Sequence, residues 1–207
     1  DVGFHNNIII SATDTELTSS LPAFNIEVVN VNDAPTIAGT PSASVAQGSL
    51  YQFTPTASDI DGATILSFII VNQPSWSSFN PSTGALTGIP GNSDVGTFSN
   101  IQIRVSDGVL TTLLPAFSIE VTNINDAPTI SGTPETLVNE DSPYTFLPTG
   151  SDIDPGVTTL TYSISNKPVW ASFNTATGAL TGTPDNSHVG VHAGIVITVS
   201  DGVLSTS

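Results

Sequence analysis

Short stretches of alternating apolar and polar residues run the length of the chain. Ile101, Ile103 and Val105 alternate with Gln102, Arg104 and Ser106, and Phe117, Ile119 and Val121 alternate with Ser118, Glu120 and Thr122. Ile195, Ile197 and Val199 continue the pattern against Val196, Thr198 and Ser200, and Tyr51-Gln52-Phe53 and Tyr162-Ser163-Ile164 are shorter instances. A period of two sends successive side chains to opposite faces, which marks half-buried strands. Gly, Pro, Asn and Asp punctuate these stretches, and no segment combines helical spacing with capping residues. The chain is expected to be all-β.

The pattern repeats. Asn32-Asp33-Ala34-Pro35-Thr36-Ile37 returns 93 residues later as Asn125-Asp126-Ala127-Pro128-Thr129-Ile130, and Ser58-Asp59-Ile60-Asp61 returns as Ser151-Asp152-Ile153-Asp154. Beyond that point the shift is 94: Trp76 matches Trp170, Thr83 to Gly88 match Thr177 to Gly182, and Val105 to Leu110 match Val199 to Leu204. A one-residue insertion after Asp-Ile-Asp fits a surface loop. The opening residues join the series, since Asp1-Val2-Gly3 aligns with Asp94-Val95-Gly96 and Leu21-Pro22-Ala23-Phe24 with Leu114-Pro115-Ala116-Phe117. Residues 1–33 therefore read as the last strands of a preceding repeat, 34–126 as a complete repeat, and 127–207 as a repeat lacking its last strand. About seven short strands per repeat imply tandem antiparallel β-sandwich modules set end to end. A final strand of about 12 residues would make each module about 40 Å long. The ends read as boundaries of an excerpt from a longer array, or as strands that residues 1–33 donate to a neighbouring chain.

Charge narrows the picture. The 207 residues hold 18 acidic and two basic side chains, Arg104 and Lys167, for a net charge of −16. Nucleic acid and anionic membranes need clustered cations, so neither is expected as a partner. There is no cysteine, which excludes the antibody-type inter-sheet disulfide and zinc–thiolate chemistry. No apolar run is long enough for a membrane-spanning helix.

The acidic residues recur between the strands. Each repeat has an early Asp-x-Asp (Asp59 and Asp61; Asp152 and Asp154), a late Ser-Asp-Gly (Asp107; Asp201), and an opening Asn-x-Asn-Asp (Asn30 to Asp33; Asn123 to Asp126). Singly, each is a common turn signal. Together, at the ends of sandwiches almost without cations, they pose an electrostatic problem. Two carboxylates about 4 Å apart at an effective dielectric near 20 repel by about 4 kcal/mol. Arg104 and Lys167 cannot neutralise several such clusters, whereas a divalent ion can. Oxygen-only ligands on loops suit calcium better than magnesium or zinc. His188 and His192, four residues apart on an expected strand, have no evident third ligand, and His5 reads as a polar loop residue.

The chain resembles the cadherin-like family, particularly the dystroglycan-type and "putative Ig" repeats of bacterial surface proteins. The resemblance rests on Asn32-Asp33-Ala34-Pro35, Asp59-x-Asp61, Phe79 to Leu86 and Asp107-Gly108, with their counterparts Asn125 to Pro128, Asp152-x-Asp154, Phe173 to Leu180 and Asp201-Gly202. It implies calcium at each junction, bound by Asn32, Asp33, Asp59, Asp61 and Asp107 at the first and by Asn125, Asp126, Asp152, Asp154 and Asp201 at the second. This chain departs from that pattern in three places. Asn30 and Asn123 stand where the linker often opens with Asp, Gln47 stands where Glu140 matches the family's early Glu, and the Asp-Arg-Glu motif of animal cadherins is missing. Fewer ions per junction, and weaker binding, are expected in consequence.

Three functional readings follow. A secreted or cell-surface adhesin would use such modules as a calcium-stiffened stalk or filament segment, with neighbouring repeats or other copies of the chain as partners. Pro35 and Pro128 restrict the linkers, which contain no flexible Gly/Ser run. A calcium-dependent carbohydrate-binding module is the alternative, with Trp76 and Trp170 as stacking candidates, although their positions suit core packing better. An enzyme is not expected, because the paired carboxylates lie in turns that recur in every repeat and no nucleophile elbow or phosphate-binding loop occurs.

Overall fold

A computed structural model describes residues 2–62, 65–157 and 159–207. Asp1, which opens the alignment of the first partial repeat, lies outside the described residues. The leading segment forms β1 (Gly3–Ile8), β2 (Ser11–Thr13), β3 (Thr18–Ser20) and β4 (Phe24–Val28), with β1 antiparallel to β4 and β2 to β3. His5 is paired with Ile26 in this ladder, so it belongs to a strand and not to a loop.

Among the described residues the middle module holds ten strand segments: β5 (Thr36–Ala38), β6 (Ser44–Ala46), β7 (Tyr51–Phe53), β8 (Thr56–Ser58), β9 (Ser67–Val71), β10 (Ser77–Phe79), β11 (Leu86–Gly88), β12 (Gly96–Ser106), β13 (Thr111–Leu113) and β14 (Phe117–Thr122). Three of the proline-containing breaks lie within a strand: Pro41 between β5 and β6, Pro55 between β7 and β8, and Pro115 between β13 and β14. Proline donates no hydrogen bond to a ladder, so each break interrupts a strand without reversing the chain. Joined across these prolines, the ten segments become the seven strands expected of a sandwich. One face carries the pairs β5–β8, β7–β11 and β11–β10. The other joins β9, β12, β13 and β14, with β6 running parallel to β14. Among the described residues the longest unbroken strand is β12, of 11 residues, and β13 with β14, joined across Pro115, spans residues 111–122, about the length expected of the last strand.

The alternating residues meet between these faces. Leu86, Ile101, Ile103, Val105 and Ile119 are fully buried, with Tyr51, Phe53 and Phe68 around them. Trp76 packs edge-on against Tyr51 and Phe98, at ring-centroid distances of 5.8 and 5.9 Å. The repeated Thr-Gly beside it has a steric cause: a Cβ on Gly88 would lie 2.5 Å from the Trp76 carbonyl oxygen, and one on Gly182 would lie 2.6 Å from that of Trp170.

The third module repeats the plan with β15 (Thr129–Ser131), β16 (Tyr144–Phe146), β17 (Thr149–Ser151), β18 (Thr161–Ser165), β19 (Ala171–Phe173), β20 (Leu180–Gly182), β21 (Val196–Ser200) and β22 (Ser205–Thr206). In the middle module β14 pairs with Val45 and Ile101. Their counterparts in the third, Val138 and Ile195, line an apolar groove of about 660 Å³ together with Tyr144, Phe146, Trp170 and Ile197. Among the described residues no strand of this module fills it. His188 and His192 do not share a strand. His188 closes a one-turn 3-10 helix (Asn186–His188), and a ring nitrogen of His192 lies 3.0 Å from its carbonyl oxygen.

Candidate metal centre

The second junction forms where two loops of the third module meet the segment that leads into it. Asp152 and Asp154 follow β17, Asp201 follows β21, and Asn125 and Asp126 precede β15. One carboxylate oxygen from each of Asp152, Asp154 and Asp201 lies within 4.8 Å of the other two. Asp154 is buried, at 5% exposure, and the other two are half-buried.

Local hydrogen bonds hold the three side chains in place. The Asp154 amide donates to Asp152 Oδ1 at 2.8 Å, fixing the Asp-x-Asp turn. The Asp126 amide donates to Asp154 Oδ2 at 2.7 Å, tying the linker to that turn. The amides of Val203 and Leu204 donate to Asp201 Oδ1 at 2.6 and 2.7 Å, and Asn125 Nδ2 donates to its Oδ2 at 2.8 Å. The Val203 amide, then the Asn125 side chain and the Leu204 amide, hold the Asp201 carboxyl below its ordinary range, so it is charged at neutral pH.

What remains unmet points to a cation. Asp152 Oδ2 and Asp154 Oδ1 are buried without a hydrogen-bond partner, although each belongs to a strong acceptor. Neither Arg104 nor Lys167 forms an ion pair with a carboxylate among the described residues, and Lys167 Nζ bonds the carbonyls of Pro168 and Ala171. An all-oxygen donor set with unused carboxylate oxygens fits calcium, and the lack of nitrogen or sulfur donors disfavours zinc. Asn125 would offer its own side-chain oxygen if its amide turned over, since the two orientations of a carboxamide differ only in which partner they satisfy.

The first junction uses the same local bonds. The Asp61 amide donates to Asp59 Oδ1 at 2.9 Å, the Asp33 amide to Asp61 Oδ2 at 2.7 Å, and Asn32 Nδ2 to Asp107 Oδ2 at 2.8 Å. Asn32, then the Val109 and Leu110 amides, lower the pKa of Asp107. Here, however, Asn32 and Asp33 are exposed, and no group of three carboxylates as close as that of the second junction is found there among the described residues.

The structure also adds two residues that the motifs did not single out as ligands or partners. Gln47 Nε2 and Asn92 Nδ2 both donate to Asp126 Oδ2, at 3.1 and 2.6 Å. Gln47 was visible in the sequence only as a departure from Glu, and the sequence reading did not single out Asn92, whose counterpart is Asn186.

A model of the family described as "Putative Ig domain" matches residues 34–122 and again 127–207. No curated protein matches the chain. Among solved structures, the chain is similar to the first two ectodomain modules of human protocadherin-24, at 18% identity, over 84% of this chain and 90% of that one, with a TM-score of 0.47. It is similar to the protocadherin gammaB4 extracellular domain at 19% identity, over 98% and 38%, with a TM-score of 0.46. An endo-fucoidan hydrolase of glycoside hydrolase family 107 aligns with all of this chain at 20% identity and a TM-score of 0.38, and the chain spans 33% of its length.

Proposed function

The chain belongs to the putative Ig domain family, in two consecutive copies, and from that premise we propose a mechanical function: a calcium-stiffened segment of an extracellular stalk or filament. The observation that carries this reading is the second junction, where three carboxylates converge and two of their buried oxygens lack a partner. Asp152, Asp154 and Asp201 would hold the ion, with Asn125 supplied by the linker, while the Asp126 carboxylate, engaged by Gln47 and Asn92, stands outside this group. Calcium would contribute charge neutralisation and a shared coordination sphere.

The protein's own residues prepare the rest. Backbone amides position each carboxylate before any ion arrives, which lowers the ordering cost of binding. The Asp126 amide joins the linker to Asp154, so loading that carboxylate also restrains the chain segment between the modules. Without an ion the three negative charges repel and the turn opens more readily. Secretion or surface display follows from the same reading, since a site of this kind is useful where calcium is abundant. Carbohydrate binding has less support, because Trp76 packs edge-on against Tyr51 and Phe98, and Trp170 likewise against Tyr144.

Calorimetric titration of metal-stripped protein with calcium tests the reading. Binding is expected to disappear in Asp152→Ala and to weaken at least tenfold in Asp154→Asn, which retains an acceptor for the Asp126 amide. Calcium at 100 times its Kd should stabilise the third module by about 2.7 kcal/mol. No heat and no rise in melting temperature at millimolar calcium would end the proposal.

A further inference from the structure

The second junction has another half, facing the middle module, and its chemistry differs. Gln47 is 7% exposed, and its Nε2 donates to the Ile124 carbonyl and to Asp126 Oδ2, both at 3.1 Å. Asn92 Nδ2 donates to the same carboxylate oxygen at 2.6 Å. The loops carrying these amides are themselves fastened. The Gln47 amide donates to the Thr122 carbonyl at 3.0 Å, and the Gly48 amide to the Pro90 carbonyl at 2.8 Å. The linker carboxylate thus receives two neutral donors from the preceding module, while its own backbone amide donates forward to Asp154.

We infer that Gln47 and Asn92 form a cation-free latch that fastens the middle module to Asp126, so that only the forward half of this junction depends on an ion. The inference deepens the proposed stalk function and, for the ion itself, rests on it. The physical case is a balance of donors and acceptors. Two amide N–H donors meet Asp126 Oδ2 without a counter-ion, and such bonds to a charged acceptor are stronger than neutral ones, although Gln47 Oε1 is itself buried without a partner. With glutamate at position 47, the same place would bring a second carboxylate against Asp126 and the Ile124 carbonyl, and only a cation could reconcile three acceptors. Glutamate does stand at the matching place in the third module, at Glu140. Gln47 and Asn92 therefore set which side of the junction responds to calcium, as positioning residues and not as ligands.

Because the chain contains no cysteine, two introduced ones report on this junction alone. Spin labels at Ser78→Cys and Ser172→Cys, both on exposed strand positions, give the distance distribution between the middle and third modules. In chelator, Gln47→Ala and Asn92→Ala are each expected to broaden the parent's distribution at least twofold. Calcium affinity should stay within twofold of the parent in both variants. Asn92 lies on a half-exposed surface turn, so its variant keeps the test valid if Gln47→Ala impairs folding. The double change Gln47→Glu with Asn92→Asp should add one calcium per chain by calorimetry. Distributions unchanged by either alanine variant would overturn the latch, as would a tenfold loss of calcium affinity, which would make these residues ligands. If the parent binds no calcium at all, the stalk reading fails, yet the distances in chelator still decide the latch.

Discussion

At the scale of single residues, Asp201 shows how one side chain serves two purposes. Its Oδ1 receives the Val203 and Leu204 amides and makes the Ser-Asp-Gly turn, its Oδ2 accepts from Asn125, and one of its oxygens lies within 4.8 Å of those of Asp152 and Asp154. The turn reading and the ligand reading of that motif are compatible because a carboxylate has two oxygens. The same bonds depress its pKa, which gives a direction for acid sensitivity. In the unfolded chain an aspartate titrates near pH 3.9. Since the folded value is lower, the stabilisation is complete above that pH and is lost as pH falls through the folded pKa. In chelator, denaturation midpoints should therefore drop below about pH 4, and Asp201→Asn should flatten the drop. An unchanged acid profile in that variant would show that the turn bonds carry no linkage. The motif residues were legible in the sequence because they recur; Gln47 and Asn92 were not, because a contact across 79 or 34 positions leaves no local trace.

Among the strands, alternation identified which faces are buried. Ile101, Ile103 and Val105 have no exposure at all, and Phe117, Ile119 and Val121 follow the same alternation on β14. Three prolines, Pro41, Pro55 and Pro115, read from the sequence only as punctuation between strands, instead divide single strands. The His188–His192 spacing was misread as a strand because only the fold placed those residues in a 3-10 turn and the coil after it. The apolar groove of the third module makes a prediction about strands themselves. Its lining matches the residues that meet β14 in the middle module, so a peptide with the sequence of residues 111–122 should seat there. Main-chain pairing supplies affinity, and the alternate pockets supply register. A melting temperature raised by the peptide and not by a scrambled one is expected; equal effects from both would refute the groove as a strand acceptor.

Across the whole molecule, a net charge of −16 on tandem modules favours extension, because like charges on successive units repel. Stiffness is a separate property and depends on the joints. Chelation should make the second junction more open on its forward side, so limited proteolysis should speed up between residues 126 and 129 and calcium should suppress it. Small-angle scattering should record a shorter mean dimension in chelator than in calcium. Equal cleavage rates and equal dimensions under both conditions would leave the modules as a sandwich array without calcium control. Among the described residues no helix is long and apolar enough to cross a membrane.

The sequence by itself determined the all-β class, the repeat and the identity of the acidic loops, because alternation, punctuation and recurrence are one-dimensional properties that the backbone obeys locally. Only the tertiary structure decided that Asp152, Asp154 and Asp201 converge more closely than their first-junction counterparts, and that Asp126 is held from behind by two amides. Those are facts about distance between loops far apart in the chain, and packing of the two sheets sets them.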